Sequence, residues 1–188
     1  MSKWVVGISG ASGAVYSKRL IDALAERAKE DKSLRADLVA SSNGRAIYRD
    51  ETGGDLEKTP FRLHAQNDFN APFASGSAPY DGMVVVPCSG GTLGRIASGA
   101  SDSLLTRGAE VMLKERRKLL LVFRESPLSL IHIENMATVT RAGATVILAA
   151  PSFYSGAKTF DGLIDTVVAR ILAHMDIPQN LQKPWGEA

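Results

Sequence analysis

Five clusters of small polar or charged residues each stand at the end of an apolar run: Ser9 to Gly13, Ser41-Ser42, Ser89 to Thr92, Arg124-Glu125 and Ser152 to Tyr154. The first belongs to Gly7-Ile-Ser-Gly-Ala-Ser-Gly13, with a helical pattern behind it. Its glycines let the backbone come close to a phosphate, and a helix starting there aims free N–H groups at the same point. Glycines at 7, 10 and 13 do not match the dinucleotide spacing G-x-G-x-x-G. A dinucleotide site also places an acidic residue at the end of the second strand. Ser41-Ser42 hold that position here, and Asp37 lies inside the strand. Hydroxyl-rich turns of this kind suit the phosphate and polar ring edges of a mononucleotide.

Arg124 and Glu125 put an anion-binding group next to a proton-handling one. Lys114-Glu-Arg-Arg-Lys118 closes a helix and reads, on pattern alone, as a solvated end that complements the helix dipole. Arg170 lies among apolar neighbours of the last helix, a setting that asks for an anionic partner. Tyr154 fits packing and phosphate donation equally. His64, His132 and His174 are scattered, with no partner at metal-ligand spacing, so no metal site is expected. Ser12 and Ser89 lack the G-x-S-x-G elbow and the His/Asp pattern of a serine hydrolase. Cys88, the one cysteine, follows Pro87 at a strand end and reads as a small buried residue. A single cysteine allows no intrachain disulfide, which fits a reducing cytoplasm.

Strands that all end at one edge would bring these clusters together. Apolar runs predict strands over about Lys3–Ile8, Arg35–Ala40, Met83–Cys88, Leu119–Phe123 and Thr145–Ala150. Helical periodicity predicts helices over about Gly13–Lys29, Ser101–Lys118, Leu128–Ala142 and Thr159–Met175, with a short one capped by Ser41-Ser42 running through Tyr48 to Glu51. A further helix starts at Ser89 to Thr92. Gly53 to Pro79 shows no sustained period, and a loop of that length is expected to be functional or interfacial. Strands alternating with helices predict an α/β fold: one parallel sheet of five to six strands with helices on both faces. Ligands of such sheets sit beyond the carboxyl ends of the strands, where all five clusters fall. FMN is the natural candidate for such a mononucleotide site.

The chain has 188 residues, 45% hydrophobic and 22% charged, which fits one domain over residues 1–188 with a tail from about 177 to 188. A net charge of +2 gives no argument for nucleic acid or an anionic membrane surface. No apolar run approaches the roughly 20 residues of a membrane span. Met1-Ser-Lys leads straight into a strand, which leaves no room for a signal peptide and points to the cytoplasm.

Several stretches together carry a resemblance. Gly7-Ile-Ser-Gly-Ala-Ser-Gly-Ala14, Pro87-Cys-Ser-Gly-Gly-Thr-Leu93, Leu113-Lys-Glu-Arg-Arg117, Arg124-Glu-Ser-Pro127, Ala150-Pro-Ser-Phe-Tyr154, Val168-Ala-Arg-Ile-Leu172 and Lys183-Pro-Trp-Gly186 stand in the order seen in flavin prenyltransferases. The chain resembles that family, UbiX, over nearly its whole length. The resemblance implies a Rossmann-like or flavodoxin-like subunit that assembles into a homododecamer with sites between subunits. It implies transfer of a dimethylallyl group from dimethylallyl phosphate, or in some members the pyrophosphate, to N5 and C6 of reduced FMN, without a metal. The prenylated FMN then serves a UbiD-type decarboxylase.

Carried over by motif, Gly10, Ala11, Ser12, Ser41, Ser89, Gly90, Gly91, Thr92 and Arg124 are expected to hold FMN, with Ser12 beside the reacting ring. Lys114, Tyr154 and Arg170 are expected to bind the prenyl phosphate, supported by Arg107. Glu125 and Glu51 are the candidates for proton transfer, and Ala74, Gly76 and Trp185 should border the prenyl group. Phe69 stands where close relatives commonly carry an indole. Two rival readings remain at this point. One is an FMN-dependent cysteine decarboxylase, which shares the fold but carries a catalytic histidine and a Pro-Ala-Ser-Ala-Asn-Thr-like motif that this chain lacks. The other is a non-catalytic FMN-binding subunit, which has no need of Lys114, Glu125 and Arg170.

Overall fold

The computed structural model describes residues 2–183 and 186. Six parallel strands form one sheet in the order β3-β2-β1-β4-β5-β6. They are β1 (Ser2–Ile8), β2 (Leu34–Ala40), β3 (Arg62–His64), β4 (Gly82–Cys88), β5 (Lys118–Phe123) and β6 (Thr145–Leu148). The main helices are α1 (Ala14–Glu30), α2 (Ser42–Thr52), α3 (Gly90–Ala97), α4 (Leu104–Lys114), α5 (Leu130–Arg141) and α6 (Phe160–His174).

Side chains alternate across a strand, so neighbours along the chain serve opposite faces. Val6, Ile8, Val84, Val86, Leu120 and Val122 pack with Leu20, Leu24 and Ile171 of α1 and α6. The intervening Val5, Met83, Val85, Leu119 and Leu121 pack with Leu93, Leu105 and Met112 of α3 and α4. Both faces of the sheet are therefore covered, which is why every residue of β4 is buried and reads as an unbroken apolar run.

The chain lays down β1, β2 and β3 in one direction, then returns to lay down β4, β5 and β6 in the other. Connections from β1 and β4 thus diverge, and a crevice opens beyond their carboxyl ends. Ser9 ties that switch point together. Its N–H (3.2 Å) and its hydroxyl (2.8 Å) both donate to the Pro87 carbonyl, and the hydroxyl accepts from the Ser89 N–H at 2.8 Å.

The sixth strand lies inside the stretch that shows no period in the sequence. It has three residues, Asp37 facing Arg62 and Val39 facing His64, too few for alternation to register. Residues 65–81 then return to β4 alongside α4. Leu104 N–H donates to the Gln66 carbonyl at 2.7 Å, and Arg117 donates to the Ala78 and Gly76 carbonyls at 2.6 and 2.7 Å. Several elements are shorter than their periodicity predicts. α4 ends at Lys114 because Arg116 takes a left-handed φ of 54°, and Lys118 already belongs to β5. α5 starts after its cap Ser129 and stops before Gly143, whose φ is 107°. β6 ends at Leu148, short of the expected Ala150.

Candidate functional site

The helices α1, α2 and α3 begin at the carboxyl edge of the sheet, and their first turns build the site. α1 starts at Gly13, whose φ of 105° favours glycine and which has no side chain to cap the helix. Glu51 supplies the cap from the far end of α2: its Oε2 accepts from the N–H groups of Gly13 (2.9 Å) and Ala14 (2.7 Å). This departs from the expectation that the start of α1 presents its amides to a phosphate. A carboxylate of the chain itself already complements that dipole. Ser12, one residue earlier, is exposed beside Glu51.

α2 is capped by Ser41, whose hydroxyl accepts from the Gly44 N–H at 3.0 Å. The first turn of α2 lies directly on the end of β1, since a Cβ on Gly44 would stand 2.4 Å from the Ile8 carbonyl oxygen. α3 is capped by Ser89, whose hydroxyl accepts from the Thr92 N–H (3.3 Å) and donates to Thr92 Oγ1 (3.1 Å). The Thr92 hydroxyl keeps its own proton for another acceptor. Arg124, after β5, donates its N–H to the Cys88 carbonyl at 3.1 Å and lies alongside Gly13. Its guanidinium forms no ion pair among the described residues. Glu125 is exposed next to it, and its Oε1 accepts from the Ser126 N–H at 3.0 Å.

The donors left over define what the crevice can hold. The N–H groups of Gly10, Ser12, Gly90 and Gly91 have no acceptor among the described residues. With Arg124 and the Thr92 hydroxyl they converge on the switch point, an arrangement suited to an acceptor-rich anion such as a phosphate monoester. The donor set fits FMN.

Three side chains at this edge were not assigned to the site from the sequence. Asn43 packs against Gly10, where a Cβ would stand 2.8 Å from its own. Gln66 Oε1 accepts from the Ser42 N–H at 3.0 Å. His132 accepts the Ser129 N–H on Nδ1 at 3.3 Å, so the neutral ring carries its proton on Nε2, against Gly90 at the start of α3. They come from the first turns of α2 and α5 and from the aperiodic loop, and only the folded chain aims them at the strand ends. Cys88 is fully buried, and burial pushes its thiol up to about 12.

Tyr154 and Arg170 meet in a second place, a cleft of about 960 Å³ between the loop after β6, α6 and the C-terminal tail. Ser152, Thr166, Gln182 and Lys183 also line it. No carboxylate does, among the described residues. Trp185, expected to border the prenyl group, lies outside the described residues.

The remaining expected residues gather around α4. Arg107 donates to the Ala74 carbonyl at 3.0 Å and to Glu110 at 2.9 Å. Ala74 itself is buried. Lys114 pairs with Glu115, and Gly76 lies against that pair. Lys114 precedes β5 and Glu125 follows it, so they stand at opposite edges of the sheet. The strand between them alone is about 20 Å long. A single copy of the chain does not bring the two together.

Among the described residues no three or more His, Cys, Asp or Glu side chains cluster as metal ligands, and no helix is long and apolar enough to cross a membrane.

Comparison with known proteins agrees with this architecture. The Flavoprotein family model matches residues 1–172. The flavin prenyltransferase UbiX of Halalkalibacterium halodurans is 41% identical over 98% of this chain and 93% of its own. The crystal structure of AnUbiX (PadA1) in complex with FMN and dimethylallyl pyrophosphate superposes with a TM-score of 0.91 at 39% identity, covering 100% of this chain and 98% of that one. The dodecameric FMN-dependent UbiX-like decarboxylase of Escherichia coli O157:H7 gives 0.91 at 37% identity, covering 97% and 98%. Identity near 40% that runs the length of both chains leaves no room for a shared fold alone: the chain belongs to the UbiX family of flavin prenyltransferases.

Proposed function

We propose that this chain joins a dimethylallyl group, taken from dimethylallyl phosphate, to reduced FMN, and that the prenylated FMN passes to a UbiD-type decarboxylase. One observation carries the reading. The structure holds two separate donor-lined places, the switch-point crevice and the Tyr154–Arg170 cleft, and the reaction brings together two phosphate monoesters.

In this reading Gly10, Ala11, Ser12, Ser41, Ser89 to Thr92 and Arg124 hold FMN. When bound, reduced FMN supplies the nucleophilic atoms N5 and C6. Tyr154 and Arg170 bind the phosphate of the donor. As the allylic C–O bond breaks, its electron pair leaves on the phosphate oxygen, where fixed donors and positive charge stabilise it. Glu125, exposed at the strand end, takes up the proton lost from C6. Glu51 reaches from α2 to accept the Gly13 and Ala14 N–H groups, so it fixes the turn that carries Ser12 and orients the Ser12 hydroxyl beside the acceptor.

Lys114 and its neighbours Arg107, Ala74 and Gly76 act from a second copy. Lys114 lies at the far edge of its own sheet, so it joins a site only if copies pack edge to edge. A homo-oligomer with sites between subunits follows, and the dodecamer of the Escherichia coli relative is the natural model. We place the enzyme in the cytoplasm and treat residues 1–188 as one domain whose tail, from about 177, closes the cleft.

Incubation with reduced FMN and dimethylallyl phosphate, followed by mass analysis of the extracted flavin, tests the assignment. A flavin heavier by one dimethylallyl unit is expected. Unmodified FMN with both the phosphate and the pyrophosphate donors would overturn it.

A further inference from the structure

We propose that the Ser152 hydroxyl is a further phosphate-binding group of the Tyr154–Arg170 cleft, an inference that rests on reading this cleft as the donor site. Ser152 is held by its backbone. Its N–H donates to Thr166 Oγ1 at 3.0 Å, and its carbonyl accepts from the Ser155 hydroxyl at 2.8 Å. Thr166 Oγ1 passes its own proton to the Leu163 carbonyl at 2.7 Å, so Thr166 has none left to offer a ligand. These bonds clamp the loop after β6 onto the middle of α6.

The side chain is left out of this arrangement. Ser152 Oγ is buried and has no hydrogen-bond partner among the described residues. A buried hydroxyl without a partner is costly, and native structures hold few of them. Here the same residue lines the cleft that Arg170 also lines. Thr166 and Arg170 are four apart on α6 and share a face, so the clamp sets Ser152 over the helical turn that carries the guanidinium. Arg170 makes no ion pair among the described residues, and the cleft lining contains Lys183 and no carboxylate. A hydroxyl donor fixed beside a positive charge, in a lining without negative charge, selects an acceptor-only anion. A phosphoryl group meets that requirement at neutral pH.

During transfer the allylic C–O bond breaks and its electron pair leaves on the phosphate. The Ser152 O–H donates to a phosphoryl oxygen whose charge is growing, and it keeps its proton throughout. Nothing is oxidised or reduced at this residue.

The test uses full-length, FMN-loaded protein carrying Ser152→Ala. The expected result is a KM for dimethylallyl phosphate raised about tenfold, the share of one hydrogen bond to a charged group, with FMN retention unchanged. Inorganic phosphate serves as a second probe that needs no turnover. Its protection of the protein against thermal unfolding should require about tenfold more phosphate in the variant. Without phosphate the variant should melt no lower than the wild type, because the substitution removes an unpaired buried hydroxyl. Wild-type KM and wild-type phosphate protection in Ser152→Ala would overturn the proposal. If the wild type prenylates no flavin, the prenyl-transfer reading fails, and the phosphate titration alone then decides for or against Ser152.

Discussion

Glu51 shows how one side chain changes the meaning of a motif. The glycine turn looks like a cradle for phosphate, yet its first two helical amides are taken by this carboxylate. The Gly10 and Ser12 amides of the turn, with those of Gly90 and Gly91 and the Arg124 side chain, stay open to an anion, and Glu51 holds the turn that carries Ser12. Cys88 is the converse case, a residue at the strand edge that burial removes from chemistry. With its thiol pushed up to about 12, Ellman's reagent at pH 8 should leave the native protein unmodified and titrate one thiol after denaturation. A native thiol that reacts would put Cys88 back among the candidates. Glu110 offers a pH test. The Ser101 hydroxyl first, and then Arg107, hold its carboxyl below the usual glutamate range. A depressed folded pKa contributes stability above the unfolded value, about 4.3, that is lost as pH falls through the folded one. Urea midpoints of wild type and Glu110→Gln should therefore differ at pH 7 and converge at lower pH. Because the Glu110 side chain is partly open to solvent, the difference at pH 7 should be small.

The helices are positioned by their caps and by close approach to the strands. Ser41, Ser89, Ser103, Ser129 and Thr159 each accept a backbone N–H at a helix start. Hydroxyl residues before an apolar period are legible in sequence, which is why most of the helix starts lie within a few residues of expectation. The seating of α2 is not legible, because it depends on Gly44 lying over the Ile8 carbonyl. That neighbour is backbone at the end of a buried strand and has little freedom to move. Gly44→Ala should cost about 1–3 kcal/mol in urea denaturation and weaken FMN retention, since Ser41 moves with the helix. An unchanged midpoint would show that α2 slides freely on the sheet edge.

One copy of the chain leaves a wide apolar surface exposed. Leu130, Ile131 and Ile133 of α5, with Phe153 and Phe160 near the end of β6, are 49–79% exposed. Surface of this kind marks an association face. Such a face on α5 is also why that helix buries only Val139 despite its apolar composition. If sites form between copies, Lys114→Ala and Glu125→Ala should each be inactive alone, yet regain turnover when the two variants are assembled together. Prenylated flavin from the mixture, and none from either variant, is the expected outcome. A mixture as inactive as its parts would place both residues in one chain's site.

The sequence by itself determined the α/β class, the apolar strands and the delivery of polar residues to one edge. These follow from local period and capping chemistry, and the motifs Pro87 to Leu93 and Arg124 to Pro127 point to the family. The three-residue strand β3 stayed hidden because it is shorter than any period. Tertiary structure alone decided that Glu51 caps α1, that His132 and Asn43 face the strand ends, that Ser152 keeps an unpaired hydroxyl, and that Lys114 stands a strand's length from Glu125. Each of these depends on a distance between residues far apart in the chain, and periodicity carries no information about such distances.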